Sequence, residues 1–137
     1  LRRPGLAAAV NIDRLVVGQG AAYGLLLAAP AAIVNVVLAG QDPKPKAALN
    51  ATLLALLIAF GISGFMAGKI ATGRPAAHGA LAGLVAFALV QVIGVLGRLD
   101  REAGISIPQI VVLGSVAAGI AAATSGLGAK RHLREEP

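Results

Sequence analysis

Four stretches of this chain contain no Asp, Glu, Lys or Arg, and each is about long enough to cross a bilayer as a helix. They are residues 15–39, 47–68, 76–96 and 107–128. At 1.5 Å per residue, a hydrocarbon core about 30 Å thick needs about 20 apolar residues. The chain is 57% hydrophobic with a mean hydropathy of +0.81, too apolar for a water-soluble domain of 137 residues. The pattern predicts an all-α membrane protein with a four-transmembrane-helix bundle.

Lys and Arg residues flank these spans unevenly. One side of a four-span protein would hold eight of the twelve: Arg2, Arg3, Arg14, Lys69, Arg74, Lys130, Arg131 and Arg134. The other side would hold Lys44, Lys46, Arg98 and Arg101. Because cytoplasmic loops carry the excess of basic residues, we expect a multi-pass plasma-membrane protein with both termini in the cytoplasm. It would consist of a cytoplasmic segment 1–14, a transmembrane domain 15–128 and a basic cytoplasmic tail 129–137.

The net charge of +6 also limits the partners. In a soluble protein it would suggest nucleic acid, but here the charges lie beside apolar spans. We therefore expect contacts with the lipid bilayer and with anionic lipid headgroups, and no nucleic-acid partner.

The start of the chain predicts a retained first span. The sequence begins at Leu1 rather than at methionine, so we expect a further segment before it. Residues 15–39 are about twice as long as the hydrophobic part of a signal peptide, which favours a membrane span over a cleaved signal.

Proline, glycine and charged residues separate the spans. Residues 40–46 include Pro43 and Pro45, which cannot continue a helix and predict a stiff turn. Residues 72–75 predict a tighter turn. Residues 97–108 form a longer connection, and its charges at 98–102 are interpreted as a solvated cluster, with one amphipathic turn at the surface as the alternative.

Small residues recur at four-residue spacing inside the spans. The predicted helix-packing positions are Gly20, Gly24, Gly64, Gly68, Gly79, Gly83, Gly114, Ser115 and Gly119. Small residues allow close backbone approach, which is how helices associate in lipid. The three Gly-xxx-Gly pairs lie toward the predicted cytoplasmic half, so we expect tight packing there and looser packing outside. These faces would join the four helices of one monomer or, alternatively, contact a second copy or another membrane protein.

A weak internal duplication relates the two halves of the chain. Setting Gly20 against Gly79 aligns residues 20–25 with 79–84, and a shift of one residue in the loop then pairs Gly61 with Gly119. This alignment predicts two repeated helical hairpins, related by an axis along the membrane normal. Chance matches in sequence rich in alanine and glycine are the alternative.

Polar residues within the spans are few. Asn35 and Gln91 fall at comparable depth in the outer half, and each carries an amide that needs hydrogen-bond partners where water is scarce. A hydrogen bond between them is the structural interpretation, and a polar substrate site is the alternative. Pro30 predicts a kink in the first helix, as found both in static bundles and at transporter hinges.

Chemistry-bearing residues are scarce. The chain has no cysteine, and its lone near-span histidine, His78, has no carboxylate or second histidine close in sequence. We expect His78 to anchor the protein at the membrane interface. The remaining ionisable groups lie in loops and in a tail, 134–136, expected to be flexible. We therefore expect no catalytic, cofactor-binding or metal-binding residue, and no enzyme activity.

A segment around the second turn resembles a known family. Gly64-Phe65-Met66-Ala67-Gly68 followed by His78-Gly79-Ala80-Leu81 is similar to the central signature of a small bacterial four-span membrane family of unknown function, often called YrzE-like. The resemblance is strong over about 25 residues. It implies a four-helix membrane fold and no established activity, and the loops at 40–46 and 97–108 have no match in it.

These observations favour a membrane protein without catalytic chemistry. The leading hypothesis is an accessory or structural subunit that packs against a larger membrane complex or self-associates. The alternative is a small oligomeric transporter or pore for a small or lipid-like solute, built around Asn35, Gln91 and Pro30. A lipid-binding or scrambling role at the basic rim is a third hypothesis.

Overall fold

Four helices account for most of the chain in the computed structural model, which describes residues 11–135. They are α1 (Arg14–Ala39), α2 (Lys46–Ile70), α3 (Pro75–Asp100) and α4 (Ile107–Glu135), and no strand occurs in the described range. Each expected span lies within one helix, and each helix is long and apolar enough to cross a membrane. The predicted all-α four-helix fold is confirmed. Arg2, Arg3 and Glu136 lie outside the described residues.

Local chemistry explains where the helices begin. Asp13 has an extended backbone before α1, and its carboxylate accepts a 2.9 Å hydrogen bond from the Leu15 N–H, a donor that the first helical turn leaves free. Pro75 opens α3, where its fixed φ suits the first helical position and its missing N–H leaves no donor unsatisfied. Arg74, at φ 49°, reverses the chain in the turn before it.

Two helices extend beyond their apolar spans. α3 continues through the charged residues 98–100, so the α3–α4 loop is only residues 101–106, and the expected solvated cluster is in part helical. α4 continues to Glu135, so the described part of the tail is helical rather than flexible. Lys69 Nζ lies 3.4 Å from Glu135 Oε2, joining the end of α2 to the end of α4. Both side chains are exposed enough that this ion pair contributes little to stability.

The helices form two antiparallel hairpins, α1–α2 and α3–α4, that pack side by side. α1 contacts α3, α2 contacts α4, and α2 also contacts α3, whereas α1 and α4 do not touch within the described residues. One end of the bundle carries the α1–α2 and α3–α4 loops and is called the loop end. The other end, called the terminal end, carries residues 11–13, the α2–α3 turn and the end of α4.

The interior is built from the smallest side chains and the exterior from large apolar ones. Ala28, Ala59 and Ala86 are fully buried, and the largest side chains below 2% exposure are Ser63 and Ser125. Larger buried side chains include Phe60 and Phe87, which meet edge to face with ring centroids 5.9 Å apart. Outward positions carry large residues such as Leu26, which is 77% exposed. Such a surface is suited to acyl chains rather than water, and the protein is an integral membrane protein.

Candidate functional site

Six of the predicted packing glycines lie where another helix approaches too closely for a side chain. A Cβ on Gly24 would lie 2.7 Å from the Ala59 carbonyl oxygen, and one on Gly64 would overlap the backbone of Ala121. The six are Gly20, Gly24, Gly64, Gly68, Gly79 and Gly83. They lie toward the terminal end, where the backbones of neighbouring helices come together. Gly114, in the loop-end half of α4, packs against the ring of Phe87.

The two hairpins repeat the same internal contacts. Gly24 meets the Ala59 carbonyl and the Ser63 Cβ, and Gly83 meets the Ala117 carbonyl and the Ala121 Cβ. These positions correspond under the sequence alignment, with its shift of one residue between the helices of a hairpin. Gly20 and Gly79 show the same equivalence, the first against Ser63 and Ala67 and the second against Ala121 and Ser125.

The expected axis along the membrane normal is not a closed two-fold, although the internal contacts of the two hairpins are equivalent. Such a two-fold axis would exchange α1 with α3 and α2 with α4, so a contact between α2 and α3 would require one between α4 and α1. Within the described residues only the α2–α3 contact exists. The second hairpin therefore packs against the first with α3 beside α1 and α4 beside α2, an arrangement that a closed two-fold axis does not produce.

Two predicted packing residues, Ser115 and Gly119, lie on an uncovered face of α4. A Cβ added to Gly119 would meet nothing within 4 Å, and the same holds for Gly126, two turns further on. Ser115 is exposed, and its hydroxyl donates to the Val111 carbonyl of its own helix at 2.9 Å. Together with the half-buried Ala122, these residues form a strip that we call the open α4 face. It has no partner helix in the described chain.

A cavity of about 420 Å³ opens between the helices at the loop end. Its polar lining consists of Asn35, Asn50, Gln91, Gln109, Arg98 and Arg101. Apolar side chains such as Leu56, Val90 and Leu113 form the rest of the wall. Asn35 and Gln91 therefore share one cavity, in agreement with their similar depth, and the six close glycine contacts described above lie in the other half of the bundle.

The predicted hydrogen bond between Asn35 and Gln91 is wrong. Asn35 Nδ2 donates instead to Thr52 Oγ1 on α2 at 2.6 Å, and Thr52 donates to the Leu49 carbonyl at 2.8 Å. α1 lies beside both α2 and α3, and its rotation turns the Asn35 amide nitrogen toward α2. Gln91 has no hydrogen-bond partner within the described residues.

The two arginines of the loop-end cavity differ in their contacts. Arg101 Nη1 donates to the Val36 carbonyl at 2.6 Å, which satisfies one of the free acceptors at the end of α1. Arg98 makes no ion pair or side-chain hydrogen bond with the described residues. Its guanidinium is therefore the uncommitted positive charge of the cavity lining.

His78 is buried inside the protein rather than placed among lipid headgroups, so the expectation of an interface anchor is wrong. It is 4% exposed, and its two ring nitrogens bond to backbone groups. Nδ1 lies 3.1 Å from the Arg74 carbonyl, and Nε2 accepts from the Asp13 N–H at 3.0 Å. Because a carbonyl only accepts, the proton is assigned to Nδ1. His78 thus ties the start of α1 to the turn before α3.

Sequence reasoning missed Thr52, Asn50 and Gln109, which are near helix starts and gave no spacing signal. A hollow of about 680 Å³ at the terminal end, beside His78 and Arg74, was also not expected. Among residues 11–135, no three His, Asp or Glu side chains come close enough together to hold a metal ion.

Comparison with known proteins found no match among protein-family models, curated proteins or solved structures. The fold and its surfaces are therefore the basis of any functional assignment.

Proposed function

We propose that this protein is a non-catalytic accessory or structural subunit of the membrane that associates with a second copy of itself through α4. The observation that supports this proposal is the open α4 face. Many lipid-facing positions elsewhere in the bundle carry large side chains, for example Leu26 and Leu54, whereas Gly119 and Gly126 leave the backbone of α4 accessible. Small residues at such spacing allow two membrane helices to approach closely.

The repeat strengthens this interpretation. Gly61 and Gly68 on α2 correspond to Gly119 and Gly126 on α4. Gly68 packs against the backbone of Ser125. A Cβ added to Gly61 would lie 3.5 Å from the Thr124 Cγ2. α4 therefore carries a copy of a surface that α2 already uses to bind a helix.

Membrane insertion restricts the geometry of such a dimer. All copies insert in the same orientation, so a closed two-fold pair has its axis along the membrane normal. The two α4 helices are then parallel, and each residue of the open face lies near its own counterpart.

The absence of cysteine allows a direct crosslinking test. Ser115→Cys places one thiol on the open α4 face, and Gly18→Cys places one on an uncovered position of α1. Because α1 and α4 do not touch within residues 11–135, Gly18 is a control on a different surface of the bundle. In proteoliposomes with a mild oxidant, we expect disulfide-linked dimers from Ser115→Cys and little from Gly18→Cys.

A second variant tests the small residues themselves. Gly119→Leu fills the open face, so it should weaken the dimer at least about tenfold in mild detergent, by about 1.4 kcal/mol or more. Gly18→Leu should leave the dimer intact. Equal crosslinking at both positions, or a monomer in both detergent and vesicles, would reject self-association. If Ser115→Cys instead forms a specific crosslink to a different membrane protein, the accessory role is retained, but the partner is that protein and not a second copy.

A YrzE-like membership, a plasma-membrane location with cytoplasmic termini and contact with anionic lipids belong to the same proposal. They are supported by the signature at residues 64–68 and 78–81 and by the excess of Lys and Arg at the terminal end. A C-terminal reporter that is active only in the cytoplasm tests the orientation, and activity only on the other side would reverse it.

A transporter or pore is the second candidate, since the loop-end cavity offers polar groups inside the bundle. Toward the terminal end the described helices meet at buried residues such as Ala59 and Phe60, so a path would have to run between protomers. In reconstituted vesicles, solute flux that Gln91→Leu reduces would support transport. Flux unchanged by that substitution would reject this cavity as the route.

A further inference from the structure

Several hydrogen-bond donors that line the loop-end cavity have no acceptor among the described residues. Arg101 is bonded to the Val36 carbonyl and the Asn35 amide nitrogen to Thr52. The Arg98 guanidinium and the carboxamide of Gln91 have no partner within residues 11–135. Asn50 and Gln109, exposed residues near the starts of α2 and α4, add two further carboxamides to the lining.

The charge of this lining is positive and uncompensated. No Asp or Glu among the described residues lines the cavity, although Asp42, Asp100 and Glu102 belong to the same end of the bundle. Two guanidinium groups in one cavity repel cations and attract anions. The apolar walls lower the local dielectric, which strengthens this selection.

Gln91 lies inside the cavity and needs a hydrogen-bond partner for its carboxamide. It lies five residues before the end of the apolar span at Leu96, or about 7.5 Å along the helix axis. The apolar side chains around it supply no hydrogen bond, so its carboxamide needs water or a bound group as a partner. A bound group that accepts from Gln91 and from Arg98 meets this requirement.

We propose that the loop-end cavity binds a phosphate group, held by Arg98 with the carboxamides of Gln91, Asn50 and Gln109. A phosphate accepts hydrogen bonds on several oxygens at once, and guanidinium binds it in a bidentate manner. The volume of about 420 Å³ lies in the range of small-molecule sites. This site is separate from the open α4 face, so it stands or falls independently of self-association.

The phosphate has two possible sources. The cavity opens at an end of the bundle, so either a lipid headgroup or a soluble phosphate compound can reach it. Both use the same donors, and the experiment distinguishes them.

The test uses full-length protein in a glycoside detergent and phosphate-free buffer. Titration calorimetry with inorganic phosphate should show saturable binding. Arg98→Gln should weaken it about tenfold or more, since a hydrogen bond to a charged group is lost. Lys44→Gln removes the same charge from the same end but outside the cavity lining, and should change the affinity less than about twofold.

Two further variants distinguish the loss of the phosphate site from a folding defect. Arg98→Lys keeps the charge and should recover part of the affinity, whereas Gln91→Leu keeps the charge, removes a donor and should weaken binding several-fold. Native mass spectrometry with added phosphatidylglycerol supplies the lipid arm. Lipid retention that depends on Arg98, without binding of free phosphate, identifies a headgroup ligand, and the reverse identifies a soluble one. The proposal is overturned if neither probe binds, or if Lys44→Gln weakens binding as much as Arg98→Gln.

Discussion

Replacing Gly24 by alanine tests whether close backbone contacts hold the bundle together. The added Cβ would lie 2.7 Å from the Ala59 carbonyl oxygen and 2.7 Å from the Ser63 Cβ. Ordinary contact begins at 3.4 Å, so α1 must retreat from α2 by about 0.7 Å. A gap of that size removes about a quarter to a half of the dispersion attraction at each contact that it widens.

The expected cost follows from two opposing terms. Overpacking a tight interior costs about 1–3 kcal/mol, whereas alanine favours a helix over glycine by about 1 kcal/mol. Gly18→Ala on the same helix isolates the second term, because a Cβ there meets nothing within 4 Å. We expect Gly24→Ala to be less stable than Gly18→Ala by about 1–3 kcal/mol.

The repeat supplies an internal replicate. Gly83 meets the Ala117 carbonyl and the Ala121 Cβ in the same way, so Gly83→Ala should destabilise the protein by a similar amount. The free energy of unfolding is measured in mixed micelles with a rising fraction of dodecyl sulfate, followed by circular dichroism. If Gly24→Ala and Gly18→Ala are equally stable, helix approach at Gly24 does not stabilise the bundle. If Gly83→Ala alone is neutral, the two hairpins are not energetically equivalent.

Two hydrogen-bonded sites give further predictions. His78→Asn keeps a donor for the Arg74 carbonyl but removes the acceptor of the Asp13 N–H, so we expect a loss of about 1–3 kcal/mol and faster amide exchange at Asp13 by NMR. His78→Gln keeps an acceptor at the Nε2 position, and exchange at Asp13 as fast as in His78→Asn would contradict the assigned bond. A double-mutant cycle of Asn35→Leu and Thr52→Val should give a coupling of about 0.6 kcal/mol, and at most about 1.7. Zero coupling would show that the two side chains do not interact.

Hydropathy predicted the spans well and the helix ends less well, for a physical reason. Charged residues are excluded from the hydrocarbon but not from a helix that continues into the headgroups or water. α3 therefore includes Arg98 and Asp100, and α4 includes Lys130 and Arg134, beyond the predicted limits of 96 and 128. The end of an apolar run marks where lipid ends rather than where the helix ends.

Which polar residues bond to each other depends on how each helix is rotated about its axis. The sequence alone does not give this rotation. Asn35 and Gln91 lie at similar depth, but Asn35 bonds to Thr52 on α2. His78 was misjudged for a related reason. Its partners are backbone groups of Asp13 and Arg74. No pattern of side chains in the sequence indicates a backbone partner.

The repeat connects the glycine pattern to the proposed association. Because no closed two-fold relates the hairpins, α4 keeps open the surface that corresponds to the one α2 uses inside the bundle. α2 uses its glycine face against α4, and α4 keeps glycine at both corresponding positions, 119 and 126, with none of the described helices beside them. Glycine weakens a helix by about 1 kcal/mol relative to alanine and gives lipid nothing to pack against. Within the monomer these two glycines therefore bring only a cost, whereas a second α4 would turn their open backbone into a contact. If Gly119→Leu stabilised the protein without changing its oligomeric state, these glycines would be a remnant of the duplication rather than an interface.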